Sequence, residues 1–352
     1  MRVLVTGGAG FVGANCALGL ATRHPDWEVT ALDNLRRRGA ELNLERLRAG
    51  GVRFAHGDVR QLEDLLGVEE LDALVECSAE PSALAGIDGD PDYVIRTNLF
   101  GAYHCLELAR RRSAFLLFLS TSRVYPVPAL RGLALAESQT RLELERQQPY
   151  AGASEDGIAE SFPLAGPRTI YGSTKLAAEM LIEEYRAAYG LRAVVDRCGV
   201  IAGPWQMGKV DQGVFTYWML AHHFKRPLAY IGFGGHGKQV RDLLHVEDLI
   251  ELIDRQLGDP RRWDGETVNV GGGRGCSLSL REATALCAEI TGNRVELSGA
   301  VQTRPGDVPL YISDCSRLAA LTDWRPQRGP REILADVHRW IHEHETAVQH
   351  AL

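Results

Sequence analysis

Apolar positions along the first 200 residues follow two spacings. Short runs rich in β-branched residues are typical of buried strands, and longer stretches with apolar residues three and four apart are typical of helices. The predicted strands are Val3–Val5, Val29–Leu32, Val52–His56, Ala73–Cys77, Phe115–Leu119 and Ala193–Arg197. The predicted helices are Phe11–Arg23, Tyr93–Arg112 and Leu176–Tyr189. This alternation predicts an α/β fold with a doubly wound parallel sheet, which binds ligands beyond the carboxyl ends of its strands.

The C-terminal third has a different pattern. Glycine and proline are frequent there, and the predicted helices Ser279–Thr291 and Arg331–His344 are separated by short strands. We therefore predict a sheet domain over residues 1–200 and a smaller α/β substrate-binding lobe over residues 201–345. Because no low-complexity linker separates the two, we expect their elements to be interleaved.

A glycine-rich turn links the first predicted strand to the first helix. Gly7, Gly10 and Gly13 are spaced three residues apart in it. Glycines let backbone N–H groups approach a phosphate closely, and a helix N-terminus adds a favourable partial positive charge. The sequence therefore predicts a Rossmann-type dinucleotide site at this turn, while the alternative is a simple strand-to-helix turn.

Asp33 ends the second strand, 20 residues after Gly13. A carboxylate at this place can accept hydrogen bonds from both hydroxyls of a ribose and repels a 2′-phosphate, which favours NAD over NADP. Three arginines that follow, Arg36, Arg37 and Arg38, could favour NADP instead. Because Asp33 ends a strand and the arginines lie in a predicted loop, we predict NAD.

Tyr171 and Lys175 carry the most informative chemical pattern, since residues four apart lie on one helix face. An ammonium near the phenol would lower the pKa of Tyr171 and make it an acid and base near neutral pH. The same ammonium could bind a nicotinamide ribose. Hydroxyls at Ser120 and Thr121 end the fifth strand and could bind the oxygen that Tyr171 protonates. The alternatives are a surface helix pair and a strand-end turn.

Charge and composition narrow the classes of protein. With 39 Lys and Arg against 46 Asp and Glu, the formal net charge is -7, which argues against a general nucleic-acid binder. No stretch approaches the length of a membrane span, and the chain enters its first strand directly, so we expect no membrane segment and no signal peptide.

Cysteine and histidine spacing predicts neither disulfides nor a metal site. The seven cysteines are scattered and form no C-x-x-C pair, which fits free thiols in a cytoplasmic protein. His338 and His342 are four apart on a predicted helix, where a surface face is more common than a metal site.

These motifs together resemble the extended short-chain dehydrogenase/reductase family of NAD-dependent epimerases and dehydratases. The resemblance extends from Met1 to about Trp340. The motifs that fall in family order are the glycine turn, Asp33-Asn34-Leu35, Gly57-Asp58-Val59, Thr97-Asn98, Ser120-Thr121 and Tyr171-x-x-x-Lys175.

The resemblance implies a role for the residues at matching positions. Thr121, Tyr171 and Lys175 would form the catalytic triad, and Asn98 would hold a loop behind the nicotinamide. NAD would contact Gly7, Gly10, Phe11, Val12, Gly13, Asp33, Asn34, Arg37, Asp58, Val59, Ser78, Ala79, Asn98, Lys175 and Cys198. The nucleotide sugar would contact Arg123, Gln206, Gln212, Arg241 and Arg304.

Two of these substrate residues, Arg241 and Arg304, would bind the pyrophosphate, for which a planar, permanently charged guanidinium is suited. The alternative is that they form salt bridges with Asp242 and Asp307. Members of the family are usually dimeric or tetrameric, so the resemblance also implies a homo-oligomer.

Within the family, several stretches are most similar to the epimerases that act at C2 of a CDP-hexose. They are residues 33–40 with Asn43-Leu44, residues 211–213 and 237–245, and the long segment between Tyr125 and Tyr171. Dehydratases of the family carry Asp-Glu after the catalytic threonine, whereas this chain has Ser122-Arg123. The resemblance therefore implies epimerisation through a transient ketosugar. The alternatives are a UDP-sugar 4-epimerase, a net dehydrogenase and a catalytically silent NAD-binding regulatory protein.

The chain departs from the family pattern at three places near the expected site. Residues 76–80, Glu-Cys-Ser-Ala-Glu, replace a sequence of the His-Leu-Ala-Ala type, and Arg168-Thr-Ile-Tyr171 replaces Ser-Pro-Tyr. Residues 205–209 also differ. The sequence thus predicts a nucleotide sugar as substrate but leaves open the base, the hexose, the carbon that is epimerised and the roles of Glu76 and Glu80.

Overall fold

The structure is a computed structural model that describes residues 1–87, 89–208 and 212–351. Its strands are β1 (Arg2–Thr6), β2 (Glu28–Asp33), β3 (Arg53–His56), β4 (Ala73–Glu76), β5 (Phe115–Thr121), β6 (Leu135–Glu137), β7 (Leu142–Leu144), β8 (Ala153–Ser154), β9 (Gly157–Ile158), β10 (Ala193–Cys198), β11 (Val200–Ala202), β12 (Leu228–Ile231), β13 (Val240–His245), β14 (Thr267–Val270), β15 (Ser277–Ser279), β16 (Leu297–Ala300) and β17 (Leu310–Tyr311). Asp211 and Lys209, which belong to two of the stretches compared above, lie outside the described residues.

The helices follow the strands in the expected alternation. They are α1 (Phe11–Arg23), α2 (Asn43–Ala49), α3 (Leu62–Leu66), α4 (Asp92–Ile95), α5 (Gly101–Arg112), α6 (Val127–Arg131), α7 (Ile170–Tyr189), α8 (Val214–His223), α9 (Val246–Gly258), α10 (Leu280–Thr291), α11 (Ser316–Leu321), α12 (Pro330–Glu343) and α13 (Glu345–Ala351). Shorter 3₁₀ turns span Ala40–Leu42, Ser122–Val124, Phe233–Gly235 and Arg274–Cys276.

Seven parallel strands form the main sheet in the order β14-β10-β5-β4-β1-β2-β3. Helices α1 and α9 cover one face, and α5 and α7 cover the other, so the strands are buried on both sides. The predicted doubly wound Rossmann-type fold is confirmed. The chain reverses its direction across the sheet between β1 and β4, which opens a crevice at the carboxyl ends of these strands.

The C-terminal part of the chain contributes to the main sheet as well as to a lobe of its own. Strand β14 pairs with β10 in the main sheet. Strands β11, β13, β15 and β17 form a smaller sheet, and α8, α10 and α12 pack around a core that includes Trp218, Ile333 and Trp340. Strand β14 lies beyond residue 200 but belongs to the main sheet. The division of the chain into two domains at residue 200 stays a prediction.

The predicted helix 93–112 is divided by a π-helical turn. Helix α4 passes into the π turn Arg96–Phe100, and α5 continues from Gly101. Single π turns are often found at functional sites. Here the turn contains Asn98, which is buried and hydrogen-bonded to the segment that follows β4.

The long segment between Tyr125 and Tyr171 forms α6 and two short hairpins, β6–β7 and β8–β9. Its core packs Tyr125 and Phe162 against Tyr311 of β17. A β-bridge between Ile158 and Ser313 also ties the segment to the C-terminal part. The segment therefore lies beside the C-terminal lobe at the edge of the crevice.

The described residues contain no helix that is long and apolar enough to cross a membrane. The cysteines Cys16, Cys77, Cys105, Cys198, Cys276, Cys287 and Cys315 are free thiols.

Asp196 of β10, the strand next to the edge strand β14, is a carboxyl group with no exposed surface. Its Oδ1 accepts a hydrogen bond of 2.9 Å from Nε2 of Gln256. Its Oδ2 and the Oε1 of Gln256 both lack a partner among the described residues. Burial raises the pKa of Asp196 to about 7, because the charged form has lost its hydration. A proton on Asp196 supplies the donor that this pair lacks.

We expect Asp196→Asn to remove a pH-dependent loss of stability. Aspartate in an unfolded chain titrates near about pH 4, so between there and pH 7 the folded protein binds more protons than the unfolded chain. The free energy of unfolding contributed by Asp196 is therefore highest at low pH and falls as the pH rises. An asparagine amide does not titrate, so at about pH 8 the free energy of unfolding of the variant should exceed that of the wild type by roughly 2–4 kcal/mol.

Urea unfolding of both proteins at low and high pH measures this difference. Asp26→Asn, at an exposed aspartate, is the matched control and should leave the pH dependence as it is. An Asp196→Asn difference of the same size at both pH values would contradict the assignment.

Candidate active site

A cleft of about 680 Å³ opens at the carboxyl ends of β4, β5 and β10, between the main sheet and the C-terminal lobe. This volume lies within the range of small-molecule sites. Many of the predicted site residues line it, namely Phe11, Val12, Ala79, Thr121, Arg123, Tyr171, Lys175, Cys198, Gln206, Gln212, Arg241 and Arg304. The structure thus brings together side chains that are far apart in sequence, while their individual roles stay predictions.

The other predicted cofactor residues do not line this cleft. They lie at the glycine turn, at the ends of β2 and β3, after β4 and in the π turn, namely Gly7, Gly10, Gly13, Asp33, Asn34, Arg37, Asp58, Val59, Ser78 and Asn98. All of these places are at the carboxyl edge of the sheet, next to the cleft. The arrangement matches an extended ligand, of which one end enters the cleft and the other crosses β1 and β2.

The glycine turn forms a tight backbone cradle, in which side chains at Gly7 and Gly13 would clash with neighbouring backbone atoms. Gly7 has a φ of +63°, and a Cβ there would lie 2.9 Å from the backbone carbonyl of Cys77. A Cβ on Gly13 would lie 2.1 Å from the carbonyl oxygen of Gly7. Helix α1 begins after Gly10 without a side-chain cap and without an acidic residue in its first turn. The backbone N–H groups in the first turn of α1 are therefore suited to bind a pyrophosphate.

Asp33 is held at the end of β2 by two backbone donors. Its Oδ2 accepts from the N–H of Ala9 at 3.1 Å, and its Oδ1 accepts from the N–H of Leu35 at 2.7 Å. Burial raises the pKa of this carboxyl group, and the two N–H groups act in the opposite direction. Because each carboxylate oxygen has two lone pairs, Asp33 can still accept bonds from a ribose.

The three arginines after Asp33 make contacts within the protein. The Arg36 guanidinium lies 4.1 Å from the centre of the Tyr93 ring. Arg37 donates to the side chain of Gln212, and Arg38 donates to the carbonyl oxygen of His350. This arrangement supports the preference for NAD that Asp33 predicts.

Asn34 and Asp58 connect the ends of β2 and β3. The amide of Asn34 donates to Asp58 at 3.0 Å. Hydrogen bonds from Arg60 and Asn34 outweigh the opposing effect of burial and lower the pKa of Asp58 to about 2. The carbonyl of Val59, the next residue, is bonded to the ring of His104 at 2.8 Å. The predicted cofactor contacts Asp58 and Val59 therefore have fixed positions.

Asn98 holds the chain after β4. Its Oδ1 accepts from the N–H of Glu80 at 2.8 Å, and its Nδ2 donates to the carbonyl of the same residue at 3.1 Å. This double contact fixes the segment that carries Ser78 and Ala79. It agrees with the loop-holding role that the family resemblance implies.

The predicted catalytic side chains meet where α7 faces β5. Thr169 caps the helix by accepting from the N–H of Gly172 at 3.2 Å, so Tyr171 and Lys175 lie on the buried face of its first two turns. The Thr121 hydroxyl lines the same cleft as the Tyr171 phenol and stabilises its charged form, which acts to lower the pKa of Tyr171. This triad can pass a proton to or from an oxygen that is bound at Thr121.

Lys175 acts on the pKa of Tyr171 in the predicted direction, but its effect is outweighed. Burial of the phenolate raises the pKa by more than Lys175 and Thr121 lower it, so the pKa of Tyr171 is raised overall. Sequence spacing shows that the ammonium is near but not how deeply the phenol is buried.

Lys175 has a second partner, which the sequence did not reveal. Its Nζ lies 3.1 Å from Oε2 of Glu76 at the end of β4 and 4.3 Å from the centre of the Phe118 ring. Burial lowers the pKa of Lys175, but the charges of Glu76 and Tyr171 outweigh it and raise the pKa overall. The unusual Glu76 is therefore an ionic partner of the triad.

Two predicted substrate arginines are anchored from the loop that precedes β17. Arg241 donates to Oδ1 of Asp307 at 2.9 Å and to the carbonyl of Val308 at 2.7 Å. Burial lowers the pKa of Arg241 to about 10. Arg123 donates to the carbonyl of Gly306 at 2.9 Å. The salt bridge that the sequence left open exists for Arg241 and Asp307, on the wall of the cleft.

The two predicted glutamines sit in the segment after β11. Gln206 donates to the carbonyl of Ile201 at 2.9 Å and accepts from the hydroxyl of Thr216. Gln212 accepts from Arg37. Gln206 is therefore held mainly by the protein, while Gln212 links the cleft to the loop after β2.

An apolar wall of the cleft was missed by the sequence analysis. It is formed by Phe215, Trp218, Leu228, Ile231 and Leu278. These residues come from α8, β12 and β15, which are not adjacent in sequence. An aromatic and aliphatic wall fits the flat surface of a nucleotide base or a sugar ring. Helix α8 is apolar on most of its surface, so its pattern did not show which side faces a ligand.

No group of three or more His, Cys, Asp or Glu side chains that could hold a metal ion is present in the part of the chain that the structure describes. His338 and His342 instead face the ring of His223, with ring centres 5.4 and 6.4 Å from it.

Comparison with known proteins places this site in a family. A model of the NAD dependent epimerase/dehydratase family matches residues 3–271. The chain is 28% identical over 351 residues to the CDP-paratose 2-epimerase of Salmonella typhi, with 97% of this chain and 99% of that protein covered. It is 30% identical over 353 residues to the dTDP-glucose 4,6-dehydratase of Mycolicibacterium smegmatis, with 98% and 95% covered.

A solved structure gives the same result at the level of the fold. The UDP-glucose 4-epimerase of Thermus thermophilus in complex with NAD matches with a TM-score of 0.78 at 27% identity, covering 97% of this chain and 99% of that one. The predicted resemblance and the predicted cofactor, NAD, are confirmed, and the glycine cradle and Asp33 fit that cofactor. The chain therefore belongs to the NAD dependent epimerase/dehydratase family of enzymes that act on nucleotide sugars.

Proposed function

We propose that this protein is a nucleotide-sugar epimerase that acts at C2 of a CDP-hexose. The proposal rests on the triad of Thr121, Tyr171 and Lys175, which lines the cleft. Dehydratases of the family carry a carboxylate shortly after the catalytic threonine, whereas this chain has Arg123 there. A side chain that cannot donate a proton to a leaving hydroxyl argues against dehydration. The nearly full-length similarity to a CDP-paratose 2-epimerase supports CDP and C2.

The residues of the triad have distinct parts in the proposed reaction. Tyr171, as phenolate, removes the proton from the sugar hydroxyl and keeps it until the sugar is reduced again. When bound, NAD supplies the hydride acceptor and donor at the sugar carbon. Thr121 donates a hydrogen bond to the ketone oxygen, and Lys175 supplies positive charge beside the phenolate. The ketosugar rotates in the cleft between oxidation and reduction, so that hydride returns to its opposite face. The product therefore differs from the substrate only in its configuration at that carbon.

The second candidate is a UDP-sugar 4-epimerase. It uses the same triad with a different sugar pose, and the fold similarity to a UDP-glucose 4-epimerase favours it. The arginines 123, 241 and 304 fit the pyrophosphate of either substrate, so they do not distinguish the two candidates.

NMR of the purified protein in deuterated water tests both candidates. The substrates are CDP-glucose or CDP-paratose, with UDP-glucose as the control. We expect a C2 epimer without deuterium at C2, because the hydride stays on the cofactor. Deuterium at C2 would mean proton exchange next to a ketone and would contradict the role of Tyr171. Turnover of UDP-glucose alone would support the second candidate instead.

We also propose a homodimer or homotetramer. Helices α5 and α7 pack side by side, and exposed apolar side chains lie on or next to them. Met180 is 62% exposed, Tyr189 60% and Phe100 51%. A two-helix face with such residues is suited to pairing with a second copy. Light scattering of the purified protein would measure the number of copies.

A further inference from the structure

Glu76, at the end of β4, contacts Lys175 of the catalytic pair Tyr171 and Lys175. It has no part in the reaction described above. Its Oε2 is 3.1 Å from the Nζ of Lys175, and the two side chains are 1% and 2% exposed. Neither group is hydrated, so each depends on the other. Removing one partner of such a buried pair leaves an uncompensated charge in a place that water does not reach, which is strongly destabilising.

The other groups around the Glu76 carboxylate are neutral. Burial raises the pKa of the Glu76 carboxyl, and Lys175 and the backbone N–H of Ser78 act in the opposite direction. Thr6 lies opposite Glu76 in the ladder between β1 and β4. The thiol of Cys105 from α5 lies on the same face of the sheet, and burial raises its pKa well above the ordinary value. The next residue along the chain, Cys77, packs on the opposite face. The charge that balances Glu76 is therefore the ammonium of Lys175.

The phenol of Tyr171 is surrounded by groups from three elements. Lys175 faces it from α7, Thr121 and Arg123 from the end of β5, and Cys198 from β10. Burial raises the pKa of the Cys198 thiol, so this group is uncharged. Among these groups, Lys175 stabilises a Tyr171 phenolate the most, ahead of Arg123. Glu76 binds the same ammonium and therefore competes with the phenolate for it.

A count of charges shows what this competition does. With Glu76 ionised, the cluster of Glu76, Lys175 and Tyr171 is neutral, and loss of the phenol proton leaves it with one net negative charge. With a neutral side chain at position 76, the same loss changes the cluster from one positive charge to none. Because a net charge is costly where water is excluded, the carboxylate opposes formation of the phenolate.

We propose that Glu76 is a positioning residue of the acid–base pair, which keeps Lys175 charged and held against β4 and which makes Tyr171 retain its proton more strongly. Its consequence for catalysis rests on the proposed function. The coupling between the two side chains does not, because it is a property of the folded chain. A tyrosine that keeps its proton is well placed to return that proton to the sugar oxygen when the ketosugar is reduced.

NMR titration of protein labelled with ¹³C at the tyrosine Cζ tests the proposal. The signal of Tyr171 is assigned by its loss in Tyr171→Phe, and cofactor content is matched among samples. In Glu76→Gln, the titration midpoint of Tyr171 should fall by at least about one pH unit relative to the wild type. Glu76→Asp, which keeps the charge, should stay closer to the wild type. An unchanged midpoint in Glu76→Gln would overturn the proposal.

A matched control and a second background keep the test decisive. Glu80→Gln removes a carboxylate four residues away and should leave the Tyr171 midpoint unchanged. If Glu76→Gln does not fold, the comparison is made between Lys175→Met and the double variant Glu76→Gln/Lys175→Met. The double variant should have the lower midpoint, because its cluster carries one negative charge fewer when the phenol loses its proton. Equal midpoints would contradict the charge count.

The rate of epimerisation gives a separate measurement. In Glu76→Gln, the acid limb of the pH profile of kcat/KM should move to lower pH by the same amount as the NMR midpoint, because the base is deprotonated at lower pH. A rate that falls equally at every pH, without a shift, would indicate a structural role and would contradict the proposal. If no sugar is turned over, the proposed function fails, while the titration still decides the role of Glu76.

Discussion

Tyr171→Phe is expected to lower the rate of epimerisation by about 10²–10⁴-fold, which is the usual contribution of a general acid or base. The substitution removes only the phenolic oxygen. The ring stays buried between α7 and β5, and Lys175 and Thr121 keep their places. The proton of the sugar hydroxyl then has no acceptor, so hydride transfer would have to produce a protonated ketone.

Because the loss concerns the chemical step, kcat should fall while the KM for the nucleotide sugar and the amount of bound NAD change little. Tyr150→Phe is the matched control, since it removes a phenolic oxygen that does not line the cleft. The epimer formed in deuterated water is measured by NMR for both variants. A wild-type rate in Tyr171→Phe would show that another group carries the proton.

Asp33→Asn is expected to weaken NAD binding by about 10–100-fold. Hydrogen bonds to a charged group contribute roughly 1.5–3 kcal/mol, and an amide offers one acceptor oxygen where the carboxylate offers two. Loss of the negative charge also removes the repulsion of a 2′-phosphate, so NADP should bind better relative to NAD. Calorimetric titration of the variant with each cofactor measures both effects.

The ratio of the two affinities separates recognition from a structural effect. Asp33 also accepts the N–H groups of Ala9 and Leu35, so its loss could distort the glycine turn. Such a distortion would weaken NAD and NADP alike and leave their ratio unchanged. A ratio equal to that of the wild type would therefore contradict the assigned role of Asp33.

Six of the seven strands of the main sheet were predicted, because each depends on a pattern of neighbouring residues, whereas β14 was not. Residues 115–119 of β5 are a continuous apolar run, and α1 follows a glycine turn that admits no side chain at Gly13. The helix that carries Tyr171 and Lys175 begins at Ile170, before the Leu176 that its apolar pattern indicated, and Thr169 caps its first turn. The π turn at Asn98 has no sequence signal of its own.

The candidate site could be predicted only where its residues carry a local pattern. Tyr171 and Lys175 share a helix face at any depth of burial, and Asp33 follows the glycine turn at a typical distance. The apolar wall with Trp218 and the contact between Arg241 and Asp307 depend on how the C-terminal lobe packs on the sheet. No spacing along the chain specifies that packing.

The sequence by itself determined the family, the cofactor and the residue types of the triad, because glycines, a strand-end carboxylate and a helix pair act through short-range geometry. The tertiary structure decided the electrostatics. It buries Tyr171, so that desolvation raises the pKa that Lys175 alone would lower. It also sets Glu76 against Lys175, 99 positions away in sequence. Burial and long-range pairing arise only when the sheet and helices pack, and they determine how strongly a buried group holds its proton.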